Sequence, residues 1–158
     1  MSLSTKITIR NAIPEDASKL DELLTELIHD EAQYDANLNV NCVVTDNYGE
    51  RIGLEGHKLL VAECGEKTVG FLYGFIYHIP EMLKNPIVIL DALFIDEKYR
   101  RMGIAHMLFS EFQKFAQESG ACRIELKVLS CNTAALELYS SLSFTEAKKY
   151  MFLNLQSE

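Results

Sequence analysis

The sequence predicts a mixed α/β fold built as one domain, and three observations carry that expectation. Its 158 residues suffice for one real core, and 48% of them are hydrophobic. The apolar residues change period along the chain, from alternation to helical spacing and back, in the order β-α-β-β-β-α-β-α-β. No repeat, low-complexity tract or linker breaks that order, so residues 1–158 are expected to form a single unit.

Residues 6–12, KITIRNA, alternate and read as a first strand. Residues 13–33 open with Pro14 and acidic side chains, which suit the positive end of a helix. Leu20, Leu23, Leu24, Leu27 and Ile28 then recur at helical spacing. Residues 35–56 are rich in Asn and Asp and weakly periodic, as expected of a loop or short helices at a substrate entrance. HKLLVAEC (57–64) and the apolar run after it read as a hairpin turning at Gly65-Glu66-Lys67.

NPIVILDALFI (85–95) is nearly all apolar, so it is expected to be a central strand covered on both faces. Ile104, Met107, Leu108, Phe112 and Phe115 mark the buried stripe of a helix ending near Gly120. CRIELKVL (122–129) alternates as another strand. NTAALELYSSL (132–142) is a short helix with Asn132 as N-cap, and KKYMFLNL (148–155) reads as a closing strand.

Charge narrows the function. Fifteen Lys and Arg against 23 Asp and Glu give a net charge of −8, which argues against a nucleic-acid backbone as partner. The same charge suits a cationic substrate, and equally plain solubility. Cys42, Cys64, Cys122 and Cys131 show no CxxC spacing, so reduced cysteines in a cytoplasm are expected and a metal site is not. No apolar run is long enough to span a bilayer, and the start lacks the apolar core of a secretion signal. Met1-Ser2-Leu3 is either native or an added remnant, and the sequence leaves both open. His29, His57, His78 and His106 share no spacing, and no histidine is given a catalytic role.

One turn stands out in so acidic a chain. DEKYRRMGIAHMLF (96–109) places Arg100, Arg101 and Gly103 at the mouth of a helix, just after a strand. A helix N-terminus offers unpaired N–H groups and about half a positive charge. Gly103 lets an anion approach the backbone, and Ala105 keeps the next turn small. No GK[ST] follows, so this is not a P-loop, and G-x-G-x-x-G is absent. The residues alone fit either a diphosphate cradle or an ordinary turn with solvated arginines.

Arg100-Arg101-Met102-Gly103-Ile104-Ala105 resembles the R/Q-x-x-G-x-G/A motif of the GNAT superfamily of N-acetyltransferases. About thirty residues on, NTAALELYSSLSF resembles that family's N-x-x-A-x-x-x-Y-x-x-x-G-F segment, with Ser143 in place of the usual glycine before Phe144. The resemblance implies the GNAT acyl-CoA N-acyltransferase fold, a central, mixed, mostly antiparallel sheet flanked by helices. It implies acetyl-CoA as co-substrate, with the pantetheine arm along Leu93, Phe94 and Ile95. The phosphates would sit on the backbone of Arg100, Arg101, Met102, Gly103, Ile104, Ala105 and His106. Asn132 and Ala135 would lie near the pantetheine. Homodimers are common in such families.

The reaction sets further demands. At pH 7 only about one lysine-like amine in 2,500 is neutral, so a proton acceptor is needed. Asp91 is the candidate base, the only charge in an otherwise apolar strand, where a carboxylate asks for a reason. Spermidine/spermine N-acetyltransferases, which this segment resembles, have an acidic residue there. Many relatives instead carry a glutamate two residues earlier, where this chain has Ile89. Tyr139 occupies the tyrosine of the second motif, the family's usual proton donor to the departing thiolate. Full transfer from a phenol to a thiolate is uphill by about 2 kcal/mol, so Tyr139 is expected to act mainly as a hydrogen-bond donor.

Asp30, Glu31, Tyr34 and Asp35 form an acidic, aromatic patch after the first helix, and Glu31, Tyr34 and Asp91 are the candidate substrate contacts. The leading expectation is an N-acetyltransferase acting on a small cationic amine. A protein or peptide amine as acceptor, an acyl-CoA sensor without turnover, and a nucleotide-binding module remain alternatives.

Overall fold

The computed structural model describes residues 6–156; the Met1-Ser2-Leu3 start lies outside them. The chain runs β1 (Ile7–Asn11), α1 (Ala17–Glu31), β2 (His57–Cys64), β3 (Lys67–Tyr77), β4 (Ile87–Ile95), α2 (Ile104–Glu118), β5 (Ile124–Glu125) and α3 (Thr133–Ser141). Short 3₁₀ turns occupy Pro14–Asp16, Gly49–Arg51 and Glu97–Tyr99. Contacts divide the chain into two units, Met1–Lys127 and Val128–Glu158.

In the first unit the strands form one sheet in the order β1-β2-β3-β4-β5. The first three pairings are antiparallel, and β4 with β5 is parallel. Alternation decides what each face meets. Leu59, Val61, Phe71, Tyr73, Ala92 and Phe94 join Leu20 and Leu23 of α1 and Tyr48 in one buried cluster. Gly74 faces the other way, and a Cβ there would stand 2.3 Å from Phe112 Cζ in α2. The sheet is thus covered by α1 on one side and α2 on the other. Each fully buried Leu or Phe contributes about 1.5–3 kcal/mol.

The α2 stripe differs from the expected one. Ile104, Leu108, Phe112 and Ala116 are buried at four-residue steps, with Phe109 beside them. Met107 is exposed, because at 3.6 residues per turn it lies about 160° around the helix from Phe109, off the buried stripe. β4 is interior to the sheet but not fully enclosed, since β5 pairs only with Val88 and Ile89. Of residues 122–129 only Ile124 and Glu125 are strand, and the predicted closing strand at 148–155 carries no helix or strand. Alternation makes a segment eligible for a sheet, but a strand exists only where a partner pairs with it.

The start of α1 is tied to the sheet by charge. Arg10 reaches Asp16 at 2.7 Å and Glu63 at 2.6 Å, and Asp16 also accepts from the Ile13 N–H at 2.8 Å. The Arg10 guanidinium holds the Asp16 carboxyl below the usual carboxylate range.

Candidate active site

The turn between β4 and α2 is shaped by left-handed backbone. Arg101 has φ 61° and Gly103 φ 80°. Gly103 caps α2, and a Cβ on it would meet nothing within 4 Å. Glycine is required there by conformation, because that φ strains any L side chain, and not by crowding within the chain. The first bond of α2 runs from the Met107 N–H to the Gly103 C=O at 3.1 Å. The amides of Ile104 and Ala105 precede it and have no acceptor inside the helix. These amides, open space at Gly103 and the helix dipole fit the pyrophosphate of coenzyme A. Arg101 and Met102 are exposed alongside, as is His106.

Arg100 is placed differently. Its Nε donates to the Ile95 C=O at 2.8 Å, its Nη2 pairs with Asp30 at 2.7 Å, and Cζ lies 5.3 Å from the Phe94 ring centre. The Arg100 side chain therefore ties the turn to the end of α1. Its contribution to an anion is through the backbone.

β4 presents an edge to the same region. The Asp96 N–H donates to the Val69 C=O of β3, and Ile95 turns its C=O the other way, to Arg100. Alternation then directs the polar groups of Phe94 to β3 and those of Leu93 and Ile95 to the opposite edge. Of the predicted pantetheine contacts, Leu93 and Ile95 present their amides to that edge, and Phe94 instead buries its ring in the α1 cluster.

A β-bulge explains Asp91. Tyr73 pairs with Ala92 and Gly74 with Leu90, so Asp91 is the extra residue. Bulges re-aim side chains and recur beside active sites. Leu90 and Ala92 are buried, while Asp91 is exposed. The carboxylate is not a charge sunk in the core. It is ejected from the strand two residues before the outward amide of Leu93.

Tyr73, whose register partner Ala92 follows Asp91, belongs to an aromatic cluster that sequence reasoning missed. Tyr48, from the 35–56 segment, is 1% exposed and meets Tyr73 edge-on with ring centres 5.3 Å apart. Asp21 anchors that segment, accepting from the Tyr48 N–H at 3.1 Å and the Asn47 N–H at 3.3 Å. Arg51 Cζ lies 5.4 Å from the Tyr73 ring centre and 5.8 Å from that of Tyr48. His57 Nδ1 is 2.8 Å from Tyr73 Oη. Burial pushes both phenols up; the Asp91 charge adds to this and the Arg51 charge opposes it. These residues come from distant segments and carry no local motif. The one available signal was an aromatic and an arginine, Tyr48 and Arg51, inside a polar loop.

The acidic patch closes α1. Glu31 is its last residue, and burial, then Asp30 and Asp35, push its carboxyl above the usual range. Tyr34 follows one turn later, its N–H on the Glu31 C=O at 2.8 Å.

In the second unit, Asn132 caps α3 as predicted, its Oδ1 accepting from the Ala135 N–H at 3.1 Å. The two residues carried over as pantetheine contacts are thus bonded to each other. Tyr139 sits in the last turn. The Phe144 N–H bonds its C=O at 2.9 Å, the Ser143 N–H bonds that of Ser140 at 3.0 Å, and the Tyr139 and Phe144 rings meet edge-on at 5.8 Å. This is a Schellman motif with its hydrophobic contact, and Ser143, at φ 69°, fills the left-handed position where glycine is preferred.

Among the described residues no group of three or more His, Cys, Asp or Glu is placed to hold a metal ion. No helix among them is long and apolar enough to cross a membrane.

Comparison with known proteins agrees with this fold. The model of the acetyltransferase (GNAT) family matches residues 21–144. The chain is 26% identical to thialysine N-epsilon-acetyltransferase of Bos taurus, over 96% of this chain and 94% of that one. A crystal structure of a mutant BH1408 protein from Bacillus halodurans superposes with a TM-score of 0.84 at 23% identity, covering 94% and 99% of the two chains. The aminoglycoside N-acetyltransferase AAC(6')-Iy in complex with CoA superposes with a TM-score of 0.74 at 16% identity, covering 99% of each.

Proposed function

The chain belongs to the acetyltransferase (GNAT) family, and from that premise we propose that it moves the acetyl group of acetyl-CoA onto a primary amine of a small cationic molecule. The observation that carries this reading is Asp91, pushed out of a buried strand by a bulge and set two residues before the outward amide of Leu93. A relative that acts on thialysine supports a small amine as acceptor, as does a structural neighbour that acts on aminoglycosides. The acidic end of α1 supports a cation.

Acetyl-CoA supplies the acyl group and leaves as a thiolate. Asp91 accepts the proton of the incoming ammonium, directly or through a water, which frees the nitrogen lone pair to form the C–N bond. The Leu93 N–H donates to the carbonyl oxygen as negative charge develops on it. Tyr139, by its place in the second motif, donates to the sulfur as the C–S bond breaks. The amides of Ile104 and Ala105, with the backbone from Arg100 to His106, hold the phosphates. A sensor without turnover has no use for an exposed carboxylate at the bulge, which favours an enzyme.

Three further points belong to the same reading. We read residues 1–158 as one acetyltransferase domain, a reading supported by a family match over residues 21–144 that reaches into both units. Four free thiols suit a reducing cytoplasm. The family resemblance favours a homodimer, checked by sedimentation.

The test is acetyl-CoA consumption over polyamines, aminoglycosides, amino acids and peptides, repeated with two variants. Asp91→Asn is expected to lower kcat by about 10²-fold or more and to flatten the acid limb of the pH profile. Tyr139→Phe is expected to lower kcat at least tenfold with CoA affinity kept. Unchanged turnover in either variant removes that residue from the mechanism. A preference for peptides moves the acceptor to a protein amine.

A further inference from the structure

Arg100 makes more contacts than a half-exposed arginine needs for its own stability. Its Nε donates to the C=O of Ile95, the last residue of β4, at 2.8 Å. Its Nη2 reaches Asp30 Oδ2 of α1 at 2.7 Å. Its Cζ lies 5.3 Å from the Phe94 ring centre. These contacts hold the guanidinium in one place, between the end of β4 and the end of α1. An ion pair this exposed adds little stability by itself. What stands on either side of it matters more.

On one side is the turn that opens α2. The Arg100 backbone belongs to that turn, and the amides of Ile104 and Ala105, open to an anion, lie just beyond. On the other side is the acidic end of α1, with Asp30 and Glu31, followed by Asp35. Burial, then the charges of Asp30 and Asp35, push the Glu31 carboxyl above its usual range. The turn is suited to a multiply charged anion, and the neighbouring patch repels one. A positive group fixed between them removes that conflict.

We propose that the Arg100 side chain is a positioning residue for both substrate sites: it neutralises Asp30 and pins it beside the turn, so that the phosphates of coenzyme A bind next to a patch acidic enough to draw a cationic acceptor. The partner of the guanidinium in this role is a carboxylate and not a phosphate, because Nε and Nη2 are already committed to Ile95 and Asp30. Asp30 is thereby withdrawn from the acceptor, and Glu31 and Tyr34 are left to meet it. The inference rests on the turn being the coenzyme A site, and it assigns the side chain of a residue of which that reading uses only the backbone.

Calorimetry of CoA, with no amine present, tests this in the intact protein, Arg100→Gln, Asp30→Asn and the double variant. Titrations are run at about 0.01 M and about 1 M salt, where charges act over about 30 Å and about 3 Å. At the lower salt Arg100→Gln should weaken CoA about tenfold or more, because Asp30 is left unneutralised near the phosphates. The double variant, which removes both charges, should recover most of that loss. At the higher salt the gap between Arg100→Gln and the intact protein should shrink to about threefold or less. Asp30→Asn alone should bind CoA at least as tightly as the intact protein. A double variant as weak as Arg100→Gln overturns the proposal, since the guanidinium would then contact phosphate or shape the turn directly. A gap that persists at the higher salt overturns it in the same way, as does equal binding by Arg100→Gln and the intact protein at the lower salt; in all three cases the coenzyme A site and acetyl transfer stand. An intact protein that binds no CoA overturns the cofactor reading and the proposal together.

Discussion

The turn after β4 and the aromatic cluster over β3 lie in the same unit and are built by opposite means. The turn is made of backbone: two left-handed residues, Arg101 and Gly103, and the unbonded amides that open α2. Its one tethered arginine, Arg100, points away to Asp30. The cluster is made of side chains. Tyr48 and Arg51 come from a loop, His57 from β2 and Tyr73 from β3. A backbone cradle binds whatever carries a phosphate and tolerates change around it. A side-chain cluster changes its ligand with each substitution. The contrast matches a reaction in which one substrate is universal and the other is particular to the enzyme.

The largest effect is expected at the turn, and a graded series at Gly103 can break the backbone account of it. Gly103→Val should weaken CoA binding at least 100-fold in calorimetry, because a β-branched residue at φ 80° forces the turn to reshape. Gly103→Asn should retain much more, since Asn tolerates the left-handed region. Gly103→Ala should fall between them. Equal loss in all three would mean that the added atoms block the phosphate directly. No loss in any would place CoA elsewhere.

The same contrast explains what was legible in the sequence. The turn after β4, the helix it opens and the Asn132 cap are local, and local residue patterns pointed to them, while the cofactor was implied by the family resemblance. The β2–β3 hairpin followed from alternation with Gly65 at its turn, and the structure places β2 at His57–Cys64. The cluster was illegible because its members come from a loop and two strands and meet only once the strands are in register. The bulge at Asp91 was equally hidden, since an extra residue shows only against its partner strand. Asp91 was singled out as a charge in an apolar run, and that run suggested burial. The bulge replaces burial with exposure, while the residue remains the one of interest.

A smaller effect is expected at Glu31, where stability and binding should move in opposite directions. Burial and the charges of Asp30 and Asp35 raise its carboxyl, so the folded state disfavours the ionised form. At pH 7 that cost is present in full, shrinks as pH falls through the raised value, and is gone below the ordinary carboxylate value. Glu31→Gln should therefore raise Tm by about 1–2 °C at pH 7, with no gain at pH 3. It should also raise KM for a cationic acceptor several-fold, as expected of a site that gives up stability for binding. A raised Tm with unchanged KM would remove Glu31 from the acceptor site and leave it a strained helix end.

The smallest effect, at Ser143, carries the backbone argument to a place where no phosphate is expected. Its φ of 69° closes the Schellman motif of α3, and a serine held there costs about 1–2 kcal/mol. Glycine removes that strain but adds freedom to the unfolded chain, which returns about 0.5–1 kcal/mol. Ser143→Gly should thus stabilise the protein by about 0.5–1 kcal/mol in chemical denaturation, with the slope unchanged. Because the motif also fixes the C=O of Tyr139 and seats its ring against Phe144, turnover reports on the same bond network. A gain in stability with unchanged kcat would show that Tyr139 is already held where it acts. A gain accompanied by lower kcat would show that the serine's strain positions the tyrosine. No gain at all would mean that local contacts offset the left-handed cost at this helix end, and the penalty assumed for Gly103 would then have to be measured and not carried over.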